Sequence, residues 1–174
     1  MTAGLHVAFF RNLNLGQRGS PTKQQVLDAF AEAGATDVAS VRVNGTVVFG
    51  SSSPARTRDR VCSLLILRTN WCDVAPVRPV RWVRDLAHHL TGVDGNAEVA
   101  FYDSRHDFPE PLPWRPEAGR LTVVHADRRH AIALNDEPRT SYATPVLERL
   151  LGLRVTSRGA ATVLTVADRL GLSR

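Results

Sequence analysis

The pair Asn44-Gly45 constrains what this chain can fold into more than any other feature. It lies between two β-branched segments, Asp37 to Val43 and Thr46 to Phe49. Both residues tolerate positive φ, which a tight hairpin turn demands. A hairpin here makes two antiparallel neighbours, and the flanking elements must be fitted around it. Leu5 to Arg11 is an apolar, phenylalanine-rich run that reads as a buried first strand. Pro21 and Thr22 open a helix through Ala33, with Val26, Leu27, Phe30 and Ala31 on one face and Gly34 as its stop. Ser53-Pro54 starts a second helix that runs to Asn70 and buries Val61, Leu64 and Leu65. Val74 to Val83 is a strand candidate at a sheet edge, because Pro76 and Pro79 remove ladder donors. A short helix, Asp85 to Leu90, ends at Thr91-Gly92.

That order, strand-helix-strand-strand-helix-strand, is ferredoxin-like. In the remainder, Glu98 to Tyr102 reads as a strand, and Phe108 to Pro116 as a proline-rich extended loop pinned by Trp114. Leu121 to His125 and His130 to Leu134 form a hairpin around Asp127-Arg128-Arg129. Thr140 to Leu151 is a helix with Ala143, Val146, Leu147, Leu150 and Leu151 on one side, stopped by Gly152. Leu153 to Thr156 is a brief strand and Ala160 to Leu170 a terminal helix. The expected fold is α+β, with two ferredoxin-like halves, 1–93 and 94–174, and antiparallel or mixed sheets.

Composition agrees with a folded chain. At 174 residues, folding removes roughly 70% of the unfolded surface from water without staples. A hydrophobic share of 43% and a charged share of 22% argue against disorder. No apolar run approaches the roughly 18 residues of a membrane span, and Met1 to Phe10 lacks a basic, then apolar, leader pattern. The expected location is the cytoplasm. Cys62 and Cys72 have no Cys-x-x-Cys spacing and no histidine at ligand spacing, so reduced buried thiols are expected. No metal or cofactor is expected.

The formal charge of +5 and pI near 10.2 raise the question of nucleic acid. Lys23 is the single lysine; every other basic side chain is arginine, a bias that GC-rich coding produces without selection for binding. The charge is nonetheless uneven. From Pro54 to Arg84 seven arginines stand against Asp59 and Asp73, a surplus equal to that of the whole chain. Arg56, Arg58, Arg60, Arg81 and Arg84 are therefore candidate phosphate contacts. Three of them fall early in the second helix, where the dipole disfavours cations, a mild sign of a surface role. The plainer reading is a solvated helix face, and for the nearby Trp71 and Trp82, core anchoring rather than base stacking.

Three segments carry a family likeness. Phe10-Arg11-Asn12-Leu13-Asn14-Leu15-Gly16-Gln17 follows the first strand. Gly34-Ala35-Thr36-Asp37-Val38 precedes Asn44-Gly45-Thr46-Val47-Val48-Phe49. Glu148 and Leu151-Gly152 precede Thr156-Ser157-Arg158-Gly159-Ala160-Ala161-Thr162-Val163. In order and spacing these resemble the bacterial family called domain of unknown function 1697, whose segments read L-R-G-I-N-V-G-G, S-G-N-V-V-F and T-x-R-N-W-x-T-V. The resemblance implies an α+β fold of ferredoxin-like halves and no established activity. The chain departs from the pattern at Asn12, Gln17, Thr46, Gly159 and Ala160.

The family-like polar residues Arg11, Asn14, Asn44 and Arg158 sit at strand ends and in loops, where binding groups concentrate. They form the candidate site for a small anionic ligand, with arginine offering bidentate contact to carboxylate or phosphate. The competing reading is structural: Asn44 builds its turn, Asn14 holds its own loop, and Arg11 or Arg158 pairs with an acid such as Glu148. No G-x-S-x-G elbow, P-loop or G-x-G-x-x-G occurs, so whether the chain is an enzyme stays open. His88-His89 cannot point the same way on a helix. His125-x-Asp127-x-x-His130 spans a turn, where exposed polar groups are expected ahead of a metal or acid–base role. Two function classes follow: a small-ligand or anion-binding protein, and a nucleic-acid-associated module on the 54–84 arginines.

Overall fold

The computed structural model describes residues 3–71, 73–91 and 96–171. The chain is α+β, with five helices and two four-stranded antiparallel sheets among the described residues. It divides into two compact units between Val83 and Arg84. The division expected at 93–94, the Gly92 helix stop and the Cys72 thiol lie outside the described residues.

The first unit runs β1 (Gly4–Phe9), α1 (Lys23–Glu32), β2 (Thr36–Arg42), β3 (Thr46–Ser51), α2 (Pro54–Thr69) and β4 (Val77–Pro79). Its sheet has the order β2-β3-β1-β4. Thr22 starts α1 by a reciprocal cap: its hydroxyl accepts from the Gln25 N–H at 3.2 Å, and its own N–H donates to the Gln25 side chain at 2.8 Å. Pro54 opens α2 at a position where a missing N–H is harmless. Asn70 closes it in the left-handed conformation. The two helices bury Val26, Phe30, Val61, Leu64 and Leu65 against Phe10, Val47, Phe49 and Trp71. Phe30 lies edge-on to Phe10 at 6.0 Å and tilted on Phe49 at 4.9 Å. Each such buried ring contributes about 3 kcal/mol of transfer free energy.

Two expectations in this unit need correction. The hairpin turn has three residues rather than two, with Arg42 paired to Thr46 and only Gly45 at positive φ. The expected strand 74–83 is a strand only at β4; from Val80 the chain is helical, as α3 (Val80–Leu90). Val80, Val83, Leu86, Ala87 and Leu90 are all buried. Their spacing is that of one helix face, which outweighs the β-branched character of Val80 and Val83. β4 does lie at the sheet edge, beside β1.

The second unit contains β5 (Ala97–Phe101), β6 (Leu121–Ala126), β7 (His130–Asn135), α4 (Ala143–Leu151), β8 (Thr156–Gly159) and α5 (Ala160–Gly171). Its sheet order, β6-β7-β5-β8, repeats that of the first unit strand for strand. The first helix of the pattern is replaced by the extended segment 102–120, which contains the proline-rich loop expected at 108–116. Trp114 pins that segment by exchanging backbone hydrogen bonds with Val123 at 2.9 and 2.7 Å and stacking edge-on against Phe108. The core joins Ala100, Tyr102, Leu121, Val123, Ala131 and Ala133 to Ala143 and Leu147 of α4.

Helix α4 starts at Ala143 rather than Thr140. Side chains hold the preceding residues in a turn, with Thr140 Oγ1 donating to the Glu137 carbonyl and Ser141 Oγ donating to Glu98. The last strand lies at 156–159 rather than 153–156, because Thr156 to Gly159 pair with Phe101 to Glu98. No described helix is long and apolar enough to cross a membrane.

Candidate functional site

In the first unit the loop after β1 folds onto the β2–β3 turn. The Phe10 N–H donates to the Gly45 carbonyl at 2.9 Å and the Leu15 N–H to the Val43 carbonyl at 2.7 Å. Arg11, Asn14 and Asn44 are thereby gathered at one end of the first sheet, while Arg158 lies in the second unit. Each has an intramolecular role. The Arg11 guanidinium donates to Asp73 at 2.6 Å, both side chains are mostly buried, and Asn12 donates to the same carboxylate oxygen at 2.9 Å. Trp71 packs against Phe10 and points its indole N–H at the Arg11 carbonyl. Asn44 accepts from the Thr46 hydroxyl at 2.9 Å. The Asn14 carbonyl accepts from the Gln17 N–H, closing its loop through the backbone.

Arg158 is buried on β8, with its guanidinium donating to Thr156 Oγ1 at 3.0 Å and to the Ser157 carbonyl at 2.6 Å. Burial pushes its pKa down to about 10, still far above neutrality. Glu148, named as an acid partner in the structural reading, accepts from the Val155 N–H at 3.0 Å.

The arginines of 54–84 do not form one row. Arg56 and Arg60 are one helical turn apart on α2, but Arg58 falls on the opposite side. Arg58 donates to Asp59 at 2.6 Å and to the Ala75 carbonyl at 3.3 Å. Arg60 and Arg68 both reach Glu32. Arg78 is buried, with its guanidinium over the Trp82 ring. Arg56, Arg81 and Arg84 are exposed, and Arg56 has no ion pair among the described residues.

Arg56 borders a groove of about 410 Å³. Its walls are the end of α1 at Glu32–Gly34, the segment Gly50–Ser53, and Arg56, Thr57 and Arg60 of α2. Ser53 precedes α2 without a side-chain cap, and Pro54 has no N–H, so the first-turn amides lack a side-chain acceptor. Ser51 Oγ lies 2.8 Å from Thr57 Oγ1 and accepts from the Ser53 N–H at 2.9 Å. This groove was not identified from sequence. The run Ser51-Ser52-Ser53-Pro54-Ala55-Arg56 carried the signal: small hydroxyl residues and an arginine at a helix start.

The second unit holds two polar clusters. Buried Glu98 receives Ser141 Oγ at 2.5 Å, Ser157 Oγ, the Ala143 N–H at 3.1 Å and Asn135 Nδ2 at 3.2 Å. It ties β5, β7, β8 and the start of α4 together, which makes it a structural hub. The other cluster is at the β6–β7 turn, where His125, Asp127 and His130 bring ligand atoms within 4.8 Å of one another. Asp127 Oδ1 accepts from the Arg129 N–H at 2.6 Å, the His130 N–H at 2.8 Å and contacts His130 Nδ1 at 2.9 Å.

Partial burial works to raise the pKa of Asp127. The Arg129 N–H, the His130 charge and the His130 hydrogen bonds together outweigh it and hold the carboxyl below 3.8. A depressed folded-state pKa stabilises the fold above 3.8 and stops doing so as pH falls through the folded value. Asp127→Asn should therefore lower the urea midpoint near neutral pH, and its gap to the wild type should shrink below about pH 4. A gap that stays constant on acidification would contradict this.

No family model and no curated protein sequence matches the chain. Among solved structures it is similar to the conserved bacterial protein SP0830 from Streptococcus pneumoniae, with a TM-score of 0.69. The match covers 97% of this chain and 99% of that one at 13% identity, which makes it a likeness of fold.

Proposed function

We propose that this chain is a cytoplasmic small-ligand-binding protein, built on ferredoxin-like halves, that takes a phosphate- or carboxylate-bearing ligand in the groove at the start of α2. One observation carries the reading: Arg56, with no ion pair among the described residues, borders a groove whose floor is a helix start with no side-chain cap. Helix N-termini attract anions because amide N–H groups and the dipole both point at the ligand. A guanidinium adds a charge-assisted, bidentate contact. Glu32 on the far wall partly neutralises Arg60, so the favoured ligand is a single anionic group rather than a polyanion. The order β2-β3-β1-β4 and its repeat in the second sheet support the ferredoxin-like description. Membership of the domain of unknown function 1697 family belongs to the same proposal. Its support is that the matching segments form the loop after β1, the β2–β3 turn and β8.

Titration calorimetry with inorganic phosphate tests the reading. Saturable binding is expected, weakened about tenfold or more by Arg56→Ala, the typical value of one charge-assisted arginine contact. Arg11→Ala should leave the affinity unchanged, since Arg11 is engaged with Asp73. Equal phosphate binding by folded wild type and Arg56→Ala would sink the proposal. Binding to a single-stranded oligonucleotide that falls steeply with salt and ignores Arg56 would favour the nucleic-acid reading instead.

A further inference from the structure

We propose that the β6–β7 turn is a transition-metal site in which His125, Asp127 and His130 hold one Zn²⁺ ion. Val123 pairs with Ala133 but His125 pairs with Ile132, so Val124 is an extra residue in β6. Without it, alternation would point His125 to the same face as core residues Leu121 and Val123. With it, His125 lies on the same face as Ile132 and, two residues back along β7, His130. The imidazole centroids lie 4.9 Å apart. A one-residue irregularity thus brings together two ligands that regular alternation would separate.

The turn supplies the third ligand and holds it still. Among the described residues the hydrogen bonds to the Asp127 carboxylate fall on Oδ1, which leaves Oδ2 for an ion. Beneath the turn the buried Tyr102 hydroxyl is shared between the Asp127 and His130 carbonyls, at 2.8 and 2.9 Å. The Asp127 N–H donates to the His130 carbonyl at 2.9 Å. Arg128 is tied to Asp107 at 2.8 Å. A backbone fixed at this many points orders the ligands before an ion arrives.

Ligand atoms in a tetrahedral zinc site stand about 3.3 Å apart, given bonds of about 2.0–2.1 Å. The observed spread of up to 4.8 Å closes to this by side-chain rotation. Two imidazoles and one carboxylate are borderline donors that suit Zn²⁺, not the oxygen-only set of Mg²⁺ or Ca²⁺. Three protein ligands leave a fourth position, and exposed His125 and Asp127 open it to solvent.

The test is calorimetric titration of the full chain with Zn²⁺ in excess Mg²⁺, repeated with Co²⁺ and visible spectroscopy. One equivalent should bind, and Co²⁺ should give d–d bands without the charge-transfer band of a thiolate. His125 is exposed, so His125→Gln leaves the fold intact and should weaken Zn²⁺ binding at least about 30-fold. Asp127→Asn keeps an oxygen for the turn and should weaken binding about tenfold or more. Stoichiometric binding that His125→Gln leaves within about threefold, a thiolate band, or no binding by the wild type would each overturn the proposal.

Discussion

Glu98→Ala is expected to lower the stability of the second unit by about 4 kcal/mol, while Glu98→Gln costs about 1 kcal/mol. The alanine removes the acceptor of four donors at once: Ser141 Oγ, Ser157 Oγ, the Ala143 N–H and Asn135 Nδ2. A buried donor left without a partner keeps its full desolvation penalty, about 1–3 kcal/mol each before relaxation. Two of the four, the serine hydroxyls, can rotate toward other acceptors. The Asn135 amide keeps the Asn96 and Thr140 carbonyls at 3.2 Å, so the Ala143 N–H, fixed in the backbone, is the donor that loses most. Glutamine fits because its oxygen can face Ala143 and Asn135 while its NH₂ donates to the serines, which also accept. Urea unfolding read by Trp114, the tryptophan of this unit, measures both variants. Equal losses for alanine and glutamine would mean that side-chain shape, not hydrogen-bond satisfaction, sets the role of Glu98.

Glu98 also marks where sequence reading succeeds and where it stops. The strand itself was legible, since Ala97 to Phe101 is an apolar run, and its observed bounds differ from the expected ones by one residue at each end. The single carboxylate inside that run was the visible irregularity. Its partners come from positions 135, 141, 143 and 157, and nothing in local pattern brings those positions together. Helices α1 and α2 were legible for the same local reason: Thr22 with Gln25 and Ser53 with Pro54 are start signals that act within one turn. Helix α3 was partly misread because Val80, Trp82 and Val83 suit a strand by composition, and only their spacing with Leu86 and Leu90 marks a helix.

The candidate site was less legible than the fold. Arg11 has the residue type and loop position of an anion ligand, yet Asp73, sixty-two positions away, engages it. Pairing at such separation is a property of the folded sheet edge, invisible to motif reading. Conversely, the groove beside Arg56 is made by the close approach of β2 to β3 at Gly50, where an added Cβ would lie 2.4 Å from Thr36 Oγ1. The His125 cluster depends on one bulge residue, and a shift of register by one is undetectable in a run such as Leu-Thr-Val-Val-His-Ala.

Gly45→Val should cost about 4 kcal/mol, because two independent penalties meet at one residue. The first is conformational: φ is +70°, a region that β-branched residues scarcely enter. The second is steric. A Cβ would stand 2.8 Å from Leu13 Cβ, 2.9 Å from the Leu13 carbonyl oxygen and 3.0 Å from Phe10 Cβ. Phe10 and Leu13 are fully buried, and the Phe10 N–H donates to Gly45 itself, so the loop cannot retreat without losing that bond. Asparagine separates the two penalties, since it tolerates positive φ but still carries a Cβ. Gly45→Asn should therefore cost about 2–3 kcal/mol, whereas Gly152→Asn should cost under about 1 kcal/mol. Gly152 has φ +66° and caps α4, with nothing within 4 Å of an added Cβ. Denaturant midpoints of the two asparagine variants decide the matter. If Gly45→Asn is as mild as Gly152→Asn, then the loop after β1 yields to the hairpin turn, and the close packing of Leu13 on Gly45 is not what holds that loop in place.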